Sequence, residues 1–136
     1  MVLPNGSGGY QVGGGNLNEV VMGYSAAPQT ATSTATLTAA QVTSQILVAN
    51  PSTTAATYTL PTATEIEAVL TSAVKVGITF DMVIVNTGTS SGTVTLAMGT
   101  GLTNGGNATV AVAITSAGRF RFRKTGDLAW SVYRIV

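Results

Sequence analysis

The stretch GRFRFRKTGDLAWSVYRIV, residues 118–136, decides the fold class of this chain. Arginine and phenylalanine alternate in its first half, and apolar residues alternate again in its second half. Successive side chains of a β-strand point to opposite faces of the sheet, so each half predicts one strand. Residues 125–127 between the two halves are typical of a turn. The stretch therefore predicts a β-hairpin.

The two faces of the predicted hairpin differ in character. With a three-residue loop in which Gly126 or Asp127 takes the left-handed conformation, Lys124 lies opposite Leu128 and Phe122 lies opposite Trp130. One face is then a buried core, formed by Phe120, Phe122, Trp130 and Val132. The other face is an outward row of Arg119, Arg121 and Arg123. Because the chain has few carboxylates, we expect this row to contact a neighbouring subunit or an acidic partner.

Charge is scarce along the whole chain of 136 residues. Charged residues make up 8% of the sequence, against roughly 25% in ordinary soluble proteins, and 45% of the residues are hydrophobic. The length fits a single domain with a modest core. A solitary subunit needs mixed charge over its surface to stay dispersed, so we expect copies of the chain or a partner to cover much of this surface.

Several classes of function are disfavoured by what the sequence lacks. It contains neither Cys nor His, which removes conventional Ser-His and Cys-His nucleophiles and the usual thiolate and imidazole metal ligands. A net charge of +1 gives no long-range attraction to nucleic acid or to an anionic membrane. No apolar run approaches the roughly 20 residues that span a bilayer. We therefore expect no enzymatic activity, cofactor, metal, nucleic-acid partner or membrane partner. The N-terminal residues lack a signal-peptide pattern, and we expect synthesis in a cytoplasm.

The carboxylates in the sequence do not form an evident catalytic pair. Glu65 and Glu67 lie two positions apart on a predicted helix and point to nearly opposite sides. Asp81 alternates with Phe80 and Met82, so its carboxylate faces away from the side that these apolar residues line. An isolated carboxylate lacks a partner for acid-base chemistry, and we expect a structural role for Asp81.

Residues 1–30 differ from the rest of the chain. They hold seven of the sixteen glycines, together with large apolar residues that follow neither a helical nor an alternating period. Glycine at this density costs too much backbone entropy to order alone, yet a bare linker would carry fewer apolar residues. We interpret the segment as an extended docking arm that orders on a partner, the alternative being a frayed terminus. The anchors of the arm are Leu3, Tyr10, Val12, Leu17, Val20, Val21, Met22 and Tyr24.

Residues 31–136 are rich in Thr, Val and Ala in short alternating runs, which suit β-strands. The predicted strands are 34–38, 46–48, 56–60, 78–86, 93–98, 109–114, 119–124 and 128–136. In the stretch TLPTATEIEAVLTSA (59–73), Thr62 and Glu65 form a capping box that predicts a short helix. The sequence thus predicts a mainly β chain with a single antiparallel β-sandwich or jelly-roll or barrel-like domain at 31–136. One short helix and the extended N-terminal arm at 1–30 complete this prediction.

Six motifs, taken in order, carry a resemblance to a known family. They are LTAAQ (37–41), TYTLPTATEIEAVL (57–70), GITFDMVIVNT (77–87), TVTLAMGTG (93–101), SAGRFRFR (116–123) and WSVYRIV (130–136). Together they resemble a β-rich domain found in virion surface proteins of tailed bacteriophages. At 77–78 the chain has Gly-Ile, where that family more often has Gly-Asp.

The resemblance implies a trimeric jelly-roll or barrel-like module of the kind used in head decoration (cement) proteins, head fibres and fibre tips. A chain of arm plus module is closer to a decoration protein than to a fibre. The expected function is therefore capsid decoration: a homotrimer on the outer capsid surface of the virion binds the major capsid protein and stabilises the head. The alternative is a receptor- or glycan-binding tip or head-fibre module, in which residues 101–107 would contact sugar. Nucleic-acid binding is a third and weaker alternative, which would need the arginine row in a groove.

Overall fold

The structure, a computed structural model, describes residues 22–70 and 75–136. Nine strands and two short helices lie within these residues, which confirms the prediction of a mainly β chain. In chain order they are β1 (Gln29–Ala31), β2 (Ala35–Thr36), α1 (Ala39–Thr43), β3 (Ile46–Ala49), β4 (Ala56–Thr59), α2 (Ala63–Val69), β5 (Thr79–Asn86), β6 (Val94–Ala97), β7 (Leu102–Gly106), β8 (Ser116–Gly126) and β9 (Ala129–Arg134).

The strands form two sheets, and the pairing is mixed rather than antiparallel. The large sheet has six strands in the order β1-β3-β5-β8-β9-β7, and the small sheet has three in the order β2-β4-β6. All pairs among β1 to β6 are parallel, as is the pair β7 and β9. Only β5, β8 and β9 pair antiparallel. The prediction of an antiparallel domain is corrected accordingly.

The parallel pairing arises because the first six strands alternate between the two sheets. From β1 to β3, and from β3 to β5, the chain passes through a strand of the small sheet and then a helix. A parallel pair needs a crossover of about a dozen residues or more, and this path supplies it. Turn residues such as Asn50-Pro51 and Thr87-Gly88 carry the chain from one sheet to the other instead of reversing it within one sheet. Each pass of the chain through the two sheets is joined to the next by backbone hydrogen bonds, such as the one from Leu37 N to Thr59 O at 2.8 Å.

Two helices are present among the described residues, where the sequence predicted one. α2 begins after Thr62, whose hydroxyl oxygen accepts a hydrogen bond from the backbone N of Glu65 at 3.2 Å. The Glu65 carboxylate accepts from the same hydroxyl at 2.9 Å and does not complete the predicted box. The full capping box belongs to α1, where Thr38 and Gln41 bond reciprocally. Five residues are too few to show a helical period, which is why the sequence did not reveal α1.

The predictions for residues 102–114 also need correction. The predicted strand 109–114 has a single β-bridge, between Val112 and Val94, and Asn104, which belongs to none of the predicted strands, lies in strand β7 beside β9. A Cβ atom on Gly105 would lie only 2.5 Å from the Tyr133 ring. Glycine is therefore required there for close approach within a sheet, which in sequence has the same appearance as a turn.

The hairpin β8–β9 has the predicted faces and a different register. Phe122 lies opposite Val132, and Lys124 lies opposite Trp130, a shift of two residues from the prediction. The loop holds two residues, Asp127 and Leu128, and Leu128 rather than Gly126 or Asp127 takes the left-handed conformation, with φ of 49°. An irregularity between Lys124 and Gly126 adds one residue to β8. A two-residue loop alone would exchange the faces, and this bulge restores them.

Side chains from both sheets meet in one hydrophobic core. The four hairpin residues Phe120, Phe122, Trp130 and Val132 are all at most 1% exposed. The Phe80 ring stacks on Phe122 with centroids 4.7 Å apart and meets the Trp130 ring edge-on at 5.5 Å. Aromatic pairs in these geometries add to the stabilisation from burial.

Candidate functional site

The predicted arginine row projects from the outward side of β8. Side chains of β8 alternate in burial, with the two phenylalanines inside and Arg119, Arg121 and Arg123 outside. The side chains of Arg119 and Arg121 are 52% and 47% exposed. Because the phenylalanines face the core, they are not available as stacking surfaces for nucleic-acid bases.

Asp81 on β5 forms intramolecular salt bridges with this row. It lies opposite Arg121, whose Nε and Nη2 donate to the two carboxylate oxygens at 2.8 and 3.0 Å. Arg119 Nη1 lies 4.0 Å from Asp81 Oδ2. The hydrogen bond from Arg121 lowers the pKa of the Asp81 carboxyl below its ordinary value. Within residues 22–70 and 75–136, Arg123 makes no salt bridge, so Arg119 and Arg121 share the one carboxylate and the row keeps a net positive charge.

The neighbouring part of the same surface is apolar. Four side chains of β3 and β5 point outward beside the arginine row. They are Ile46, Val48, Val83 and Val85, of which Ile46 is 37% exposed and the others are half-buried. We call these four residues the apolar half, and Asp81 with the three arginines the charged half, of the outer face. A groove of about 600 Å³ lies where the halves meet, with Ile46, Val83, Asp81 and Arg119 among its lining residues.

The outward side of the small sheet is different. Its strands β4 and β6 carry three threonines and Ala97 outward, namely Thr57, Thr59, Thr95 and Ala97, and their other apolar residues lie in the core. This is the ordinary alternation of a sheet with one face in water. β5, by contrast, is apolar on both sides from Met82 to Val85. The outer face of the large sheet is therefore suited to being covered.

A charged cluster that the sequence did not reveal lies on the inward side of β8. Lys124 is 5% exposed, and its Nζ donates to Glu67 Oε2 of α2 at 2.5 Å. Trp130 Nε1 donates to the same oxygen at 3.0 Å, and the ammonium lies 5.8 Å from the Trp130 ring centroid. The hydrogen bond from Lys124 lowers the pKa of the Glu67 carboxyl. Lys124 follows Phe120 and Phe122 at the same two-residue spacing, and this spacing is the sequence signal that its side chain points inward.

A second buried polar group organises the loops after β5 and before β8. Asn86 is 1% exposed, and its Nδ2 donates to the backbone oxygens of Gly92, Val112 and Ala113 at 2.9 to 3.1 Å. Its Oδ1 accepts from Gly88 N at 2.8 Å. The side chain thus bonds to two loops at once, which gives it a structural role.

The docking arm lies mostly outside the described residues. Of its eight predicted anchors, Met22 and Tyr24 are described; Met22 is 69% exposed and Tyr24 is fully exposed. Residues 22–28 are exposed throughout, and β1 begins at Gln29. The anchors that lie outside the described residues are Leu3, Tyr10, Leu17, Val12, Val20 and Val21.

The segment predicted to contact sugar, residues 101–107, forms strand β7 and its flanks. The polar groups of Asn104 are used within the chain, because its Oδ1 accepts from Ala108 N at 3.0 Å and its Nδ2 donates to Thr109 Oγ1 at 3.2 Å. An amide that bonds to its own chain must lose these bonds before it can bind a sugar hydroxyl.

Comparison of the chain with protein-family models, curated proteins and solved structures gave no match. Neither described helix is long or apolar enough to cross a bilayer. Within residues 22–70 and 75–136, no three His, Cys, Asp or Glu side chains come together as a possible metal site. Any function of the chain is therefore inferred from its own residues and their geometry.

Proposed function

We propose that the protein is a capsid decoration protein of a tailed bacteriophage, which binds the shell of the major capsid protein on the outside of the virion and stabilises the head. In this proposal, residues 31–136 form a sandwich- or barrel-like module that associates as a homotrimer. Residues 1–30 form the extended docking arm. The role is mechanical and involves no enzymatic step.

The observation that carries the proposal is the outer face of the large sheet. Outward apolar side chains that cluster on a sheet favour an interaction surface, and here one exposed and three half-buried side chains adjoin a row of arginines that one carboxylate does not neutralise. A chain with 8% charged residues also has little mixed charge to keep its surface free of contacts. These features favour a protein that works within an assembly.

The docking arm supplies the contact with the shell in this proposal. Ordering a glycine-rich segment costs about 1 kcal/mol or more per residue, so it becomes fixed only where the shell offers enough contact. Three arms on one trimer multiply the modest affinity of each, because the later binding events are intramolecular. A trimer attached over a junction between capsomers would then resist the separation of those capsomers.

Sedimentation tests this function directly. Capsids assembled from the major capsid protein of the parent phage, without this protein, are mixed with the purified chain and pelleted. We expect co-sedimentation at a fixed number of copies per shell and a higher temperature of shell disassembly. Binding to host cells or surface polysaccharide, with none to capsids, would instead support the receptor- or glycan-binding alternative.

A further inference from the structure

The apolar half of the outer face requires an occupant. β5 lies in the interior of the large sheet, between β3 and β8, and presents Met82 and Ile84 to the core and Val83 and Val85 to the outside. Strands with apolar residues on both sides are typical of sheets that are covered on both faces. Among the described residues, only the core side is covered.

The charged half restricts what that occupant can be. Two of the three arginines approach the one carboxylate, so the surface keeps a net positive charge and favours a segment that brings an acid together with apolar side chains. One such segment is LNEVVM at 17–22, which lies outside the described residues except for Met22. Its acid, Glu19, is the only charged residue among the first 64. In an extended segment, Leu17, Glu19 and Val21 share one side, which gives the order apolar, acidic, apolar.

We propose that residues 17–22 of a neighbouring copy lie extended across the outer face of each subunit. Glu19 binds Arg119 at the groove, and Val21 packs on Ile46 and Val83. The occupant belongs to a neighbouring copy because Met22, the described end of the segment, is 69% exposed and so is not packed on its own subunit. Exchange of this segment closes the trimer and leaves residues 1–16 for the shell. The inference rests on the proposed homotrimer and does not depend on capsid binding.

Cysteine cross-linking tests this arrangement cleanly, because the natural chain has no cysteine. The double variant Val21→Cys/Val83→Cys is purified reduced, checked for its mass in solution, oxidised and run on a denaturing gel without reductant. We expect chains linked into dimers and trimers. A matched variant, Val21→Cys/Thr57→Cys, places the second cysteine on the outward side of the small sheet and should remain unlinked.

Other outcomes overturn the inference in distinguishable ways. Linkage within single chains would show that the segment covers its own subunit. A trimer that shows no linkage, or equal linkage in the Thr57 control, would show that the segment does not lie on the outer face, and capsid decoration would be unaffected. Linked trimers that do not sediment with capsids would contradict the proposed function alone.

Charge exchange gives an independent measurement. Glu19→Arg and Arg119→Glu should each raise the concentration at which the trimer dissociates by about tenfold or more, and the double exchange should recover most of that loss. Lys75→Glu, at an exposed basic residue that precedes β5, tests whether any charge change has the same effect. Lack of recovery in the double variant would refute the pairing of Glu19 with Arg119.

Discussion

Replacing Glu67 by glutamine should destabilise the subunit through the buried Lys124 ammonium. Glutamine keeps an oxygen that can accept from Trp130 Nε1, so the change removes the negative charge and little else. Breaking a fully buried ion pair costs about 3 to 5 kcal/mol, because it leaves a charge without compensation. The Lys124 and Glu67 side chains are 7% and 19% exposed, so water reaches this pair in part. We therefore expect a loss of about 1 to 3 kcal/mol in the free energy of unfolding.

Urea unfolding of four proteins measures this interaction. They are the wild type, Glu67→Gln, Lys124→Met and the double variant, in which methionine replaces the lysine stem without its charge. The double variant leaves no uncompensated charge in the cluster, so it should be more stable than Glu67→Gln. Glu65→Gln, on the exposed side of the same helix, is the control and should change stability by less than about 0.5 kcal/mol. A loss below about 0.5 kcal/mol in Glu67→Gln, or strictly additive effects in the cycle, would refute this account of the pair.

The same pair predicts a dependence on pH. Because the folded-state pKa of Glu67 is lowered, its stabilisation is complete above the pKa of the unfolded chain and is lost as pH falls through the folded value. A glutamate in an unfolded chain titrates near pH 4.3, so the stability difference between wild type and Glu67→Gln should shrink below about pH 4. Asp81 is present in both proteins, and its own titration cancels in the comparison.

Three other changes test the core, the outer face and the arm. Trp130→Ala should cost about 3 to 5 kcal/mol in urea unfolding, whereas Arg121→Ala should leave the subunit close to wild type; equal effects would mean that the hairpin faces are misassigned. Val83→Thr with Val85→Thr copies the outward side of the small sheet, and we expect a folded subunit whose trimer dissociates at higher concentration in light scattering; an unchanged trimer would show that the outer face is not buried on association. Deletion of residues 1–16 should leave a folded trimer that no longer sediments with undecorated capsids, and full occupancy by the truncated protein would assign docking to the β module. For the nucleic-acid alternative, we expect no retention of oligonucleotides at physiological salt, and micromolar binding that weakens steeply with added salt would revive it.

Side-chain alternation was sufficient to predict the faces of the hairpin but not its register. Alternation places Phe120 and Trp130 on the same side of the hairpin in every register that differs from the predicted one by an even number of residues. The actual shift combines a two-residue loop with one extra residue in β8. A bulge has no sequence pattern of its own, and so the opposed pairs were misassigned while the buried set was not. Lys124 also points inward by this alternation, but a lysine is expected in solvent unless a buried partner is known. Its partner Glu67 lies 57 positions away in the sequence, so local patterns do not reveal the pair.

The parallel pairing of β1 to β6 could not be derived from local sequence patterns. A short strand followed by a turn predicts a hairpin, and the local sequence does not show that the next strand joins the other sheet. β3 and β4 have alternating residues and lie on either side of Asn50-Pro51, which is how two antiparallel strands would also appear. The distinction depends on contacts 18 or more residues apart, such as Leu47 with Gln29 and with Ile84. Periodicity is informative about which side of a strand is buried and carries no information about which strand lies beside it.

The outer face shows what the sequence of a single strand can still indicate about assembly. In TFDMVIVN, the apolar run from Met82 to Val85 interrupts the alternation that β4 and β6 keep with outward threonines. The inward residues of that run are accounted for by the core of the subunit, and the outward residues are not. Charged residues make up only 8% of the chain, yet three of its six basic residues lie beside the apolar half of the outer face. A lone acid in LNEVVM, a segment that precedes β1 in the sequence, has the charge and the apolar neighbours that the proposed contact with another subunit requires.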